Sequence, residues 1–118
     1  MRKKRLLLDH YTKIGCEALP IQLARMDYIV DKLFKSNPEE VLGIIKRGNY
    51  NGLIINIINK AVLDVAKMVK LEHNELPIIG ISTTGKEQGD YSPFTEVLNQ
   101  PIDFDRIKSI LKGELSNE

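Results

Sequence analysis

Leu53-Ile54-Ile55-Asn56-Ile57 and Pro77-Ile78-Ile79-Gly80-Ile81-Ser82 decide the fold. Both are β-branched apolar runs bounded by turn residues. Their apolarity is continuous, not alternating, which fits strands covered on both faces of a parallel sheet. A third short run, Arg5 to Leu8, stops at Asp9. Weaker strands are expected over Tyr28–Leu33 and Thr95–Leu98.

Helical signals lie between these runs. Pro38 to Arg47 carries the clearest set. Asn37 can cap it, Pro38 suits the first helical position, and Glu39 and Glu40 favour the positive end of the dipole. Val41, Ile44 and Ile45 form its apolar stripe, and Gly48 can supply a left-handed exit. Lys60 to His73 presents Val62, Val65, Ala66 and Val69 on one face. Phe104 to Lys112 is capped by Asp103, turns Ile107, Ile110 and Leu111 inward, and allows Ile102 to staple onto Ile107. Thr12 to Met26 is also expected to be helical, either kinked at Pro20 or beginning near Ala18. Gly85 to Pro93 holds two glycines and a proline within nine residues, leaving room for a single turn at most.

The order is therefore β-α-β-α-β-α-β-loop-β-α. Right-handed βαβ crossovers then give an α/β fold, a three-layer α/β/α sandwich on a five-stranded parallel sheet. The fourth crossover helix should be short or missing. The 118 residues suit one domain, with a basic tail over 1–4 and a second tail over 114–118.

Composition narrows the function. Lys plus Arg is 17 and Asp plus Glu is 16, a formal charge of +1, so nothing drives the chain toward nucleic acid or an anionic membrane. No apolar run approaches the ~18 residues that span a bilayer. Leu6-Leu7-Leu8 is too short for a signal-peptide core of about 7–15 residues, and the one cysteine, Cys16, cannot form an internal disulfide. A cytoplasmic protein is expected.

Several patterns bear on chemistry. Gly80-Ile81-Ser82-Thr83-Thr84-Gly85-Lys86 matches G-x-x-x-x-G-K and offers a nucleotide- or phosphate-binding alternative. Against it, Glu87 stands where Ser or Thr would hold magnesium, and turn residues follow where a helix should start. Asp9 ends a strand at the sheet edge where α/β folds bind ligands, but one carboxylate is too few for a magnesium site. His10, His73 and Cys16 are scattered without metal-ligand spacing, and no G-x-S-x-G or H-E-x-x-H motif occurs. No cofactor and no catalytic residue are expected.

The length, the element order and five placed residues together resemble the receiver domain of two-component response regulators. Four stretches carry the resemblance: Leu6-Leu7-Leu8-Asp9-His10, Tyr50 to Asn56, Pro77 to Ser82, and Gln100-Pro101-Ile102-Asp103. Tyr11-Thr12-Lys13-Ile14-Gly15 is similar to the start of the first helix in receivers joined to LuxR-type DNA-binding domains. The resemblance implies strand order 2-1-3-4-5 and a cis bond at Gln100-Pro101. It places Asp9 and His10 at the acidic pair, Asn56 at the phosphoaccepting aspartate, Ser82 at the conserved hydroxyl, and Gln100 at the lysine.

The departures carry the functional expectation. An amide at position 56 cannot attack an acyl-phosphate donor as a carboxylate does. Gln100 removes the cation that would stabilise a phosphoryl group, and the acidic pair is reduced to Asp9. The chain thus resembles a degenerate receiver, or pseudo-receiver. That implies a phosphorylation-independent regulatory module that acts on a protein partner or as a homodimer, and that could precede the effector domain of a transcription regulator. With the fourth helix reduced, Tyr91, Phe94, Leu98 and Ile102 either form an apolar interaction surface or simply cover the sheet edge.

Overall fold

A computed structural model of the chain describes residues 4–9, 18–33, 37–57, 61–82, 91–99 and 102–112. The apolar runs become β1 (Arg5–Asp9), β2 (Ile29–Lys32), β3 (Gly52–Ile57), β4 (Ile78–Ser82) and β5 (Glu96–Asn99). All pairings are parallel, and the sheet order is β2-β1-β3-β4-β5. Among the described residues there are four helices: α1 (Ala18–Arg25), α2 (Pro38–Arg47), α3 (Ala61–Glu72) and α4 (Phe104–Lys112). The expected loss of a helix between β4 and β5 falls on residues 83–90, outside the described residues. The expected cis bond at Gln100-Pro101 lies outside them too.

Burial follows the sequence pattern. All of β3 and β4, and β1 from Leu6 onward, are buried, as expected of central strands. β2 and β5 are the sheet edges and only partly covered. Strand alternation sends Leu6, Leu8, Ile54, Ile79, Ile81 and Leu98 to one face, where α1 adds Leu19 and Leu23 and α4 adds Ile107, Ile110 and Leu111. Leu7, Leu53, Ile55, Ile57 and Ile78 face the other way, onto Val41 and Ile45 of α2 and onto Val62, Val65, Ala66 and Val69 of α3. Burying each such side chain contributes about 1.5–3 kcal/mol before chain entropy is counted.

The helix caps form as the residues dictate. Asn37 Oδ1 accepts from Glu40 N at 2.8 Å, and Asp103 Oδ1 accepts from Arg106 N at 3.2 Å. Gly48 corrects the expectation. Its backbone is extended (φ −105°, ψ 158°), not left-handed. A Cβ there would come within 2.6 Å of the Tyr50 ring, so a side chain at position 48 would have to displace that ring.

Candidate functional site

The carboxyl ends of β1, β3 and β4 bring three polar side chains to one edge of the sheet. Asp9 closes β1, Asn56 lies one residue before the end of β3, and Ser82 closes β4. Register fixes their spacing. Asp9 is level with Ile55, while Asn56 is level with Ile81 and Ser82 with Ile57. The three thus occupy successive levels on neighbouring strands. By alternation, Asn56 continues the row of Ile54 toward the α1 and α4 layer, and Asp9 continues the row of Leu7 toward α2 and α3.

Their burial is the distinguishing feature. Asp9 is 0 % exposed, Asn56 1 % and Ser82 7 %, and among the described residues these are the buried polar ones. Every other buried side chain is apolar, so the core's polarity is confined to this edge. Among the described residues neither Oδ1 nor Nδ2 of Asn56 has a hydrogen-bond partner. A buried polar group left unsatisfied costs about 1–3 kcal/mol.

The donor set limits the chemistry. The described edge offers one carboxylate, one amide and one hydroxyl. Magnesium sites take an octahedron of oxygens with one or two carboxylates among them. Asn56 contributes a neutral carbonyl, and its Nδ2 brings hydrogens where a cation needs lone pairs. Among the described residues no group of three His, Cys, Asp or Glu side chains could hold a metal ion. With one carboxylate and otherwise neutral donors, the described residues are a poor fit for a divalent cation of the kind that serves phosphoryl transfer. His10 and Gln100 of the expected site lie outside the described residues.

Two alternatives left open by the sequence meet the structure here. Phe94 and Leu98 do not form an exposed surface; they are 8 % and 9 % exposed and belong to the two core layers. The reason for Phe94 is Gly80, whose missing side chain makes room for the ring: a Cβ at position 80 would meet Phe94 Cδ1 and Cε1 at 3.0 Å. Tyr91 and Ile102 are half-buried and pack against those cores. Gly80 also alters the phosphate-loop alternative. It lies inside β4, buried, not in a loop whose amides could cradle an anion. Thr83 to Glu87 lie outside the described residues.

The sequence reading missed two polar ties and one surface. Arg106 clamps Glu96 with two hydrogen bonds, Nε to Oε2 at 2.7 Å and Nη2 to Oε1 at 2.5 Å, tying α4 to β5. Tyr50 donates its hydroxyl to Asp31 Oδ2 at 2.6 Å. Burial and that hydrogen bond push the phenol up to about 12. The surface lies on α3, where Leu71 is exposed. Its signal was readable, since Leu71 falls off the stripe of Val62, Val65, Ala66 and Val69. No described helix is long and apolar enough to cross a membrane.

No protein-family model matches the chain, and no curated protein matches it. Solved structures do. The response regulator protein TrrA from Thermotoga maritima, in complex with magnesium and beryllium fluoride, is 26 % identical with a TM-score of 0.73 over 95 % of this chain and 98 % of that one. A complex of the histidine kinase ThkA with TrrA matches at 25 % identity and a TM-score of 0.72, over 93 % of this chain and 97 % of the matched one. A CheY-like response regulator receiver domain from Methylobacillus flagellatus matches at 15 % identity and a TM-score of 0.73, over 95 % and 98 %. With its 2-1-3-4-5 parallel sheet, this chain has the receiver fold of those response regulators.

Proposed function

We propose that this chain is a receiver-like regulatory domain that works without aspartyl phosphorylation and acts through contact with protein. One observation carries the reading: Asn56, buried and without a partner among the described residues, stands at the strand end where the receiver resemblance puts the phosphoacceptor. Forming an acyl phosphate needs a carboxylate oxygen as nucleophile. A carboxamide delocalises its nitrogen lone pair into the carbonyl and offers no such oxygen. Asp9 is the one carboxylate among the three, and the donor set beside it is a poor fit for the cation that would offset phosphoryl charge.

A protein partner is supported by the fold's known company, since one matched structure is a complex of a response regulator with a histidine kinase. A homodimer and a following DNA-binding domain belong to the same reading. The role is regulatory and not catalytic.

Thermal melting with and without acetyl phosphate and magnesium tests this reading. A receiver that accepts a phosphoryl group changes its stability when it does so, by linkage. The melting temperature of this chain should not move. A rise that requires both reagents together would overturn the reading.

A further inference from the structure

Asn51-Gly52 is the chain's single Asn-Gly step, and it lies at the amino end of the sheet, away from the edge that holds Asn56. Asn51 is exposed, while Gly52 is buried as the first residue of β3. Both are held by contacts with β1. Arg5 N donates to Asn51 Oδ1 at 2.9 Å, and Asn51 N donates to Arg5 O at 2.7 Å. Gly52 is level with Leu6. A Cβ on Gly52 would come within 2.5 Å of Leu111 Cδ2 and 3.2 Å of Leu6 Cδ2, so a side chain there would have to displace Leu111. Packing thus favours the glycine and the Arg5 pairing favours the asparagine. Together they leave the chain with its most labile dipeptide, because glycine has no Cβ to keep its nitrogen from the preceding carboxamide.

We propose that Asn51 is a site of spontaneous deamidation, gated by opening of the amino end of the β1–β3 pair, and that its isoaspartate product loosens β3. Gly52 N gives up its proton and bonds to Asn51 Cγ. The Cγ–Nδ2 bond breaks, and Nδ2 leaves as ammonia. Water then opens the resulting succinimide. Attack at Cγ gives aspartate, and attack at the main-chain carbonyl of residue 51 gives isoaspartate. In the closed fold the carboxamide is held on Arg5 N and Gly52 is fixed in a strand, so ring closure waits for local opening. The two products differ in consequence. Aspartate keeps a side-chain oxygen to accept from Arg5 N. Isoaspartate routes the main chain through the former side chain and lengthens it directly before β3, so the reciprocal pair with Arg5 cannot re-form. The strand displaced is the one that carries Asn56.

Peptide mapping by mass spectrometry tests this on the full chain, held at mildly alkaline pH either folded or unfolded in urea. The peptide holding Asn51 should exchange an amide for an acid in both samples, about ten- to hundredfold more slowly in the folded one. Isoaspartate, scored by enzymatic carboxyl methylation, should be the major product. The isoaspartate chain, separated by ion exchange, should melt below the parent, and Asn51→Asp should melt with the parent. Equal rates in the two samples would overturn the gating. An Asn51 still intact in the folded chain after about a hundred unfolded-state half-lives would overturn the site. Isoaspartate that melts with the parent, or Asn51→Asp that melts as low as the isoaspartate form, would overturn the consequence for β3.

Discussion

The Phe94 ring occupies the space that a side chain on Gly80 would need. A Cβ at position 80 would lie 2.7 Å from Ile57 Cδ1 and 3.0 Å from two atoms of that ring. Thr95 fastens the same segment to β4, its N donating to Ile78 O at 2.7 Å and its Oγ1 accepting from Ile78 N at 3.2 Å. The start of β5 is therefore locked to β4 by packing and by hydrogen bonds together. Gly80→Ala should destabilise the fold by about 1–3 kcal/mol through overpacking. Adding Phe94→Leu should recover part of that loss, read from urea unfolding midpoints of the four variants in the cycle. Strictly additive losses would mean the two residues do not compete for space.

Asn56 provides the sharpest stability test. Its two polar side-chain atoms are buried without partners among the described residues, so a similarly sized apolar residue should do better there. Asn56→Leu should raise stability by about 1 kcal/mol. A clear loss in chemical denaturation would mean the amide is satisfied in solution.

Asn56→Asp should behave oppositely. It sets a second buried carboxylate beside the strand that ends in Asp9, and like charges disfavour ionisation of both. The variant should melt lower than the parent at neutral pH, and added magnesium should restore it by binding the folded state. The parent chain should show no such magnesium effect. A magnesium-dependent rise in the parent would contradict the poor fit of its donors.

The Tyr50–Asp31 tie predicts an alkaline limb in stability. Tyr50 is raised from 10.0 to about 12 by burial and by its hydrogen bond to Asp31. Because the folded value lies above the unfolded one, the contribution is complete below pH 10 and is lost as the pH rises toward 12. Tyr28 is raised by burial and adds to the same limb. Tyr50→Phe should make the fall in unfolding free energy over that window shallower without removing it. An unchanged slope would mean Tyr50 titrates alike in both states.

Much of this fold was legible because its central strands leave no choice. Residues 53–55 and 78–81 are apolar on both faces, and a doubly covered parallel strand hides both. The α2 boundaries were equally plain, since Asn37 and Pro38 fix the start by capping and by ring geometry. The edge strands were harder, because β2 and β5 are half exposed and mix charge with apolarity. Asp9, Asn56 and Ser82 could be read as residue types at strand ends, and the structure sets these three strand ends at one edge of the sheet. Exposure at β5 was left open. Phe94 follows turn residues and looked superficial, and only the neighbouring strand reveals that Gly80 leaves it a socket. The Glu96 clamp on Arg106 was invisible for a similar reason, because it depends on how α4 returns along β5.

The central claim is that this receiver fold carries no phosphoacceptor. Intact mass spectrometry after incubation with acetyl phosphate and magnesium tests it most directly. The account predicts an unmodified chain. One added phosphoryl group, removed by hydroxylamine and absent from Asp9→Asn, would contradict it.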